Sequence, residues 1–323
     1  MPKAIRIYEQ GAPEVMKWEE VELPPPGAGE VRMRHEVSGL NYIDTYHRGG
    51  VYKMPLPSGI GSEAAGVVEA VGEGVSNVKP GDRVAYAGAM GAYAEANNVP
   101  ADRLVKIPAG VSDETAAAAM LKGMTAQYLL KRTYPVKRGE TILFHAAAGG
   151  VGLIAGQWAK HLGATVIGTV GSDEKVALAK ENGSAHVLNT RKEDWVKRVR
   201  EITGGVGVPV VYDSIGKDTF MGSLDCLQVR GMMVSFGNAS GAVPPFEAGI
   251  LSAKGSLYLT RPTLMSYTRN AKELQETADD LFAVIASGAV KIAIHQRFKL
   301  SEARKAHEAL HSRNTTGATI LIP

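Results

Sequence analysis

"FHAAAGGVGLIAGQWAK", residues 144–160, decides the fold. An apolar run, "TILFHA" (141–146), feeds a glycine-rich turn, and helix-forming residues follow from Gly150. Val151, Ala155, Trp158 and Leu162 recur on one helical face, and Gly163 is a candidate helix stop. A strand, a tight glycine turn and a helix in that order read as a dinucleotide-binding turn, G-x-G-x-x-G, with Ala147 in the first glycine's place. Gly149 lets the backbone approach a pyrophosphate whose charge the helix N-terminus stabilises, and Gly152 permits close packing of helix on strand. Alanine at 147 is tolerated if its backbone keeps φ below zero. Ala148, Gly149, Gly150, Val151 and Gly152 then form the expected phosphate cradle. The alternative is a tight packing turn without ligand.

The same alternation continues on both sides of this turn. Strand-like runs "TVIGTV", "HVLN", "PVVYDS", "GMMVSFG" and "GSLYLT" alternate with expected helices over 150–162, 173–182, 192–202 and 217–229. Apolar strands alternating with helices predict an α/β, doubly wound parallel sheet of the Rossmann type. The first 120 or so residues differ: short β-like runs are separated by turns at "PPPGAG", "GEG" and "KPGD", which predicts a mostly antiparallel β domain. From Ser112, a candidate N-cap, "SDETAAAAMLKGMTAQYLLKRTY" reads as two helices or one bent at Gly123. After the last parallel strand come a long helix, "NAKELQETADDLFAVIASG", a second near "SEARKAHEALHSR" and a final strand, "GATILIP". The expected domains are 1–123 with 262–323, and 124–261 for the nucleotide.

The second strand selects the nucleotide. An NAD site expects an acidic residue about 20 residues beyond the glycines, to accept from the ribose 2′-hydroxyl. Here the strand ends in Gly171 and Ser172, which leave room for a 2′-phosphate. Lys175 supplies positive charge and Arg191 is a second candidate. NADPH is therefore the expected cofactor, while the neighbouring Asp173 and Glu174 keep NADH open.

Composition excludes other classes. The chain has 323 residues with 36 basic against 33 acidic, so the net charge of +3 is too small to mark a nucleic-acid surface. No apolar run approaches the roughly 18–20 residues of a membrane span, and "MPKAIRIYEQ" lacks a signal peptide's apolar core, so a cytoplasmic protein is expected. Cys226 is the only cysteine, which rules out an intramolecular disulfide and a cysteine-rich zinc site. In "SLDCLQ" it reads as a small buried apolar residue.

The run "GSEAAGVVEAVGEGVSNVKPGDRV" (61–84) and the two-domain order resemble the medium-chain dehydrogenases/reductases. That resemblance implies a GroES-like β domain beside the Rossmann domain. Zinc alcohol dehydrogenases carry Gly-His-Glu where this chain has Gly61-Ser62-Glu63, and a zinc cysteine where it has Asn41. Neither Asn41 nor Ser62 is a competent zinc ligand, so a metal-free reaction is expected. "GETILFHAAAGGVGLIAGQWAK" (139–160), "LPSGIGSEAAG", "VVYDSIG", "SLDCLQ" and "SFGNASGAV" look like the zinc-independent quinone oxidoreductase/zeta-crystallin branch, in particular its bacterial NADPH-dependent members.

This resemblance implies an NADPH:quinone oxidoreductase that reduces small quinones by electron or hydride transfer from the nicotinamide. Asn41 and Thr125 are implied beside the nicotinamide. Ser214 is implied in the cofactor cleft, with Phe236 and Gly237 of "FGN" presenting backbone to the carboxamide. Lys175 and Arg313 match the family's 2′-phosphate contacts, whereas Thr190 replaces a tyrosine beside that phosphate. Tyr46 and Tyr52 in "DTYHRGGVY" resemble residues facing the acceptor, able to stack on a quinone or hydrogen-bond its developing oxyanion. Asp44 reads as a base or as a helix N-terminal residue, and His47 as an acid or a solvated loop residue. A homodimer is implied, with "GSLYLT" as the strand that pairs. An enone or alkenal double-bond reductase and an RNA-binding zeta-crystallin-like protein are the competing functions, although no basic stripe or aromatic platform favours nucleic acid.

Overall fold

The computed structural model describes residues 1–312 and 315–323. They form two compact units: Met1–Met124, Tyr267–Ala286 and Ile292–Pro323 in the first, and Thr125–Ser266 with Ser287–Lys291 in the second.

The second unit is built on six strands, in the order Ser184–Asn189, Thr165–Val170, Thr141–Phe144, Val208–Asp213, Leu227–Ser235 and Tyr258–Thr260. Every neighbouring pair is parallel. Such strands are covered on both faces, which explains their nearly unbroken apolar sequences: Ile142, Leu143, Val166, Ile167, Val210, Val211, Met233 and Val234 are all buried. The chain enters at Thr141–Phe144, winds outward through two strands, then returns to the other side of its starting strand. That reversal makes the carboxyl end of Thr141–Phe144 the switch point, where open α/β sheets bind ligands. The helix Gly150–His161 follows directly, burying Ala155 and Trp158 on the expected face.

Two local expectations are corrected. The segment expected as helix over 217–229 is helical only at Phe220–Asp225, and Leu227–Val229 already belong to the strand Leu227–Ser235. Apolar Leu224, Cys226, Leu227 and Val229 satisfy both periodicities, and pairing of Leu227 with Val208 settles the matter. Gly123 likewise does not break its helix, which runs from Asp113 to Tyr128 and continues as a wider turn over Leu129–Thr133. Its missing side chain serves packing: a Cβ there would lie 2.4 Å from Leu281 Cδ1. Ser112 Oγ accepts from Thr115 N, as an N-cap does.

The first unit holds a seven-stranded sheet in the order Ile294–Lys299, Ala318–Ile322, Glu30–Leu40, Glu63–Val71, Arg83–Ala87 and Val105–Lys106, with Ala96–Pro100 also pairing to Glu30–Leu40. All pairs are antiparallel except the first. A three-stranded sheet, Lys17–Glu20, Lys3–Ile7 and Ser58–Gly59, completes it. Ile5, Ile7, Met33, Ile60, Tyr86, Tyr93 and Leu321 meet in one core. The helix Ala271–Ala286 buries Leu274, Ala278 and Leu281 on one stripe.

Cys226 is buried at the end of Phe220–Asp225, and burial pushes its thiol up to about 12. No helix among the described residues is long and apolar enough to cross a membrane.

Candidate functional site

At the switch point the chain leaves Phe144, buries His145 and turns at Ala146, whose φ is +55°. The left-handed residue is thus Ala146. Ala147 keeps an ordinary φ and donates its N–H to Thr169 O at 2.9 Å. Gly149 is the N-cap of the following helix and offers no side-chain cap. The first N–H groups of a helix have no intrahelical partner, so those of this turn remain for an anion, as a pyrophosphate site requires. Gly152 is obligatory for the turn itself: a Cβ there would lie 2.3 Å from Ala146 O and 2.8 Å from Ala147 Cα. Ala148 is buried beside Ala147 and Val170, while Gly149, Gly150 and Val151 are half-buried at the helix start.

Beneath this turn lies a polar cluster that no sequence signal singles out. His145 Nδ1 is 2.8 Å from Thr169 Oγ1 and Nε2 is 3.0 Å from Ser223 Oγ. Ser223 donates to Asp213 Oδ2 at 2.8 Å, so its oxygen must accept from His145, which carries its proton on Nε2. Burial lowers the His145 pKa, against a smaller opposing pull from Asp213, and keeps the ring neutral. Asp213 also accepts from Thr219 Oγ1 and from the N–H groups of Ile215 and Gly216. The cluster therefore ties together the carboxyl ends of Thr141–Phe144, Thr165–Val170 and Val208–Asp213. Ser214, Phe236 and Gly237 sit alongside: Phe236 N donates to Asp213 O, and a Cβ on Gly237 would come within 2.5 Å of Ser214 O.

The end of the second strand suits a 2′-phosphate. A Cβ on Gly171 would meet only Arg191 Nε, at 3.9 Å, so there is open space with a guanidinium at its edge. Asp173, the residue that kept NADH open, is engaged elsewhere: its carboxylate accepts from Asn189 Nδ2 at 2.7 Å and pairs with Lys192. Ser172 Oγ donates to Glu174 at 3.3 Å, and Lys175 is half-buried at the start of the next helix. Thr190 bonds back to Val170 O through its N–H and its hydroxyl. Arg313 lies outside the described residues.

In the first unit, Asn41 caps the helix Tyr42–Gly49 in a reciprocal capping box with Asp44, which accepts from Asn41 N at 2.9 Å. Asn41 is buried and donates Nδ2 to Glu63 Oε2 at 2.7 Å. Glu63, fully buried, also accepts from Leu121 N at 2.6 Å and pairs with buried Lys122 at 3.1 Å. Burial raises the Glu63 pKa; Lys122, Asn41 and Leu121 pull it back. Asp44 takes further hydrogen bonds from Ser62 Oγ at 2.7 Å and Tyr93 OH at 2.8 Å. Tyr93 oxygen meets His307 Nε2 at 3.2 Å, and His307 Nδ1 meets Arg48 Nη1 at 3.1 Å. Arginine only donates, so His307 is neutral with its proton on Nε2, and every bond in the row points toward Asp44. Burial pushes the His307 pKa down to about 3.

Tyr46 and Tyr52 are brought together, ring centroids 5.5 Å apart and edge to face, with Tyr42 a further 5.4 Å from Tyr46. The reading of His47 as a solvated loop residue is corrected. Tyr46 and His47 lie on the helix, which closes at Gly50 in a left-handed conformation with φ of +84°. Only Tyr52 follows in a loop, where its carbonyl accepts from Gln10. His47 is half-buried and its pKa is lowered by burial. Asp44 is the helix N3 residue. Thr125, buried in the helix Asp113–Tyr128, opens the second unit. Lys122 and Glu63 had a signal, since a single lysine amid "AAAAMLKGMTA" requires a buried partner.

Residues 27–109 match the family described as alcohol dehydrogenase GroES-like domain, and residues 150–284 the family described as zinc-binding dehydrogenase. The quinone oxidoreductase of Pseudomonas aeruginosa is 54% identical over 100% of both chains. Quinone oxidoreductase 1 of Escherichia coli is 52% identical, again over 100% of both. The crystal structure of Escherichia coli quinone oxidoreductase complexed with NADPH superposes with a TM-score of 0.98 at 52% identity, covering 99% of this chain and 100% of that one. The zinc of the second family's description does not fit the residues here. The Asn41 amide and Ser62 hydroxyl are both spent as donors to carboxylates, and Glu63 already holds an ammonium. Among the described residues, no three His, Cys, Asp or Glu side chains converge on a metal position.

Proposed function

This chain belongs to the quinone oxidoreductase family of the medium-chain dehydrogenases/reductases, and from that premise we infer that it catalyses NADPH-dependent reduction of small quinones without a metal. The observation that carries the reading is the carboxyl end of the parallel sheet. It combines helix N–H donors at Gly150–Gly152, open space at Gly171 and Asp173 withdrawn onto Asn189 and Lys192.

Bound NADPH supplies the two electrons, as hydride or in single steps, and one proton completes the hydroquinone. The protein's part is to bind, orient and exclude water. Ala148, Gly149, Gly150, Val151 and Gly152 would hold the pyrophosphate. Gly171 and Ser172 would admit the 2′-phosphate, with Lys175, Arg191 and Arg313 as its cations. Ser214, Phe236 and Gly237 would line the nicotinamide, with Asn41 and Thr125 beside it. Tyr46 and Tyr52, already edge to face, would stack on the planar acceptor or donate to the oxygen that becomes anionic. Little acid–base machinery is needed, because the acceptor is electron-poor and becomes aromatic on reduction.

Initial rates with NADPH against a panel of acceptors test this reading. Benzoquinone and naphthoquinone should be reduced, and cyclohexenone and a simple alcohol–aldehyde pair should not. Preferential turnover of cyclohexenone would replace the quinone with a polarised double bond. The protein would work in the cytoplasm, where NADPH is regenerated. A homodimer would form through the outer strand Tyr258–Thr260, where Tyr258 is 59% exposed and Leu259 37%. Tyr258→Arg should then shift the sedimenting species toward monomer.

A further inference from the structure

Two buried carboxylates clamp Asn41. Asp44 takes its backbone N–H and Glu63 takes its side-chain amide. The second hydrogen on Nδ2 faces Gly39 O at 3.4 Å, so both amide donors point into the protein. Gly39 makes this approach possible, because a Cβ there would lie 2.2 Å from Glu63 Oε2 and 2.3 Å from Ala117 O. Glu63 in turn is fully buried, and among the described residues its charged hydrogen-bond partner is Lys122, also buried.

An ionised carboxylate accepts and never donates. Turning the Asn41 amide over would set Oδ1 against Glu63 Oε2 at the 2.7 Å now spanned by a hydrogen bond. That arrangement is repulsive as long as Glu63 is charged. Burial by itself favours the neutral acid, whose proton could bond to either face of the amide; the adjacent ammonium opposes this.

We propose that Lys122 and Glu63 are positioning residues that, together with the Asp44 N–H which the capping box sets against Oδ1, lock the polarity of the Asn41 amide, so that toward the bound nicotinamide Asn41 presents only the remaining lone pair of that oxygen and no donor. The proposal rests on the placement of Asn41 beside the nicotinamide. It has a mechanistic consequence. Asn41 does not polarise the quinone carbonyl, so a donor to that oxygen must come from other groups, with Tyr46 and Tyr52 the phenols at hand.

The test reverses the hydrogen bond while keeping its charge. In the double variant Asn41→Asp with Glu63→Gln, the new amide at position 63 donates to the new carboxylate at position 41. Lys122 keeps a carboxylate nearby, and position 41 still presents only acceptor oxygens. In the full-length enzyme with NADPH and benzoquinone, Asn41→Ala and Asn41→Asp should each lower kcat/KM at least tenfold. The double variant should recover to within about threefold of the starting enzyme. Lys122→Arg should retain activity, whereas Lys122→Met should lose it without a compensating change at Asn41. Lys122→Met leaves an unpaired buried carboxylate and risks misfolding, but the swapped pair avoids that hazard because Lys122 is intact. A double variant as impaired as Asn41→Asp, with an unchanged melting temperature, would overturn the lock. Full activity in Asn41→Ala would remove the placement beside the nicotinamide, and the proposal with it.

Discussion

His145 Nε2 lies 3.0 Å from Ser223 Oγ, joining residues 78 positions apart beneath the glycine turn. Ser223 gives its only proton to Asp213, so the pair is directional, and Asp213 in turn holds the N–H groups of Ile215 and Gly216. Ser223→Ala should leave the Nε2 hydrogen buried without an acceptor, at a cost of about 1–3 kcal/mol. A lowered denaturation midpoint together with weaker NADPH binding, read by cofactor fluorescence, is the expected result. Unchanged stability would show that the cluster is not holding the turn.

Ala146 rather than Ala147 carries the left-handed conformation of the turn, with φ of +55°. Glycine adopts that conformation without strain, alanine at about 1 kcal/mol, and a β-branched residue at more. Thermal unfolding should rank Ala146→Gly at least as stable as the parent and Ala146→Val at least about 1 kcal/mol below it. Gly152→Ala is expected to be worse for cofactor binding, because its methyl would meet Ala146 O at 2.3 Å. At least a tenfold rise in the NADPH dissociation constant should accompany it.

Arg191 borders the space at Gly171, and Asp173 is bound to Asn189 and Lys192. Arg191→Ala, Lys175→Ala and Arg313→Ala should each raise KM for NADPH about tenfold, the value of one exposed charge-assisted contact, with little effect on NADH. Equal effects on both cofactors would remove these residues from the 2′-phosphate.

Buried His35, His145 and His307 set an acid limit, since burial lowers the pKa of all three. Burial pushes the His35 pKa down to about 4 and that of His307 to about 3, while both return to about 6.5 when unfolded. Between those values the unfolded chain binds protons that the native rings refuse, so stability falls as pH drops below about 6.5. Each histidine contributes roughly 1.4 kcal/mol per pH unit within its window. Asp44 and Glu63, whose pKa values burial raises, act in the opposite sense. Denaturation from pH 7 to 5 should therefore show falling stability, with a shallower slope in His35→Gln. A slope unchanged by that substitution would mean that His35 is protonated in the native state.

Much of this architecture was legible because its signals are local. "TVIGTV" carries no charge and is rich in β-branched residues, as a strand covered on both faces requires, and it forms Thr165–Val170 as read. The glycine turn announces itself through Gly149 and Gly152, and at Gly152 no larger residue fits. What escaped depends on distance in the chain. Glu63 and Lys122 are 59 residues apart, and they meet because the strand Glu63–Val71 begins against the helix Asp113–Tyr128, a pairing that no short window contains. His145 looked like part of an apolar strand, since its partners Thr169 and Ser223 come from other elements. Gly123 looked like a break or a bend in the helix, because its partner Leu281 is far downstream. Propensity is a local quantity, and packing overrode it at each of these positions.

One measurement bears most directly on the account: kcat/KM for NADPH and for NADH with benzoquinone, before and after exhaustive chelation. The account predicts at least a tenfold preference for NADPH and the same rates after chelation. Equal use of NADH, or activity lost on chelation and restored by zinc, would contradict it.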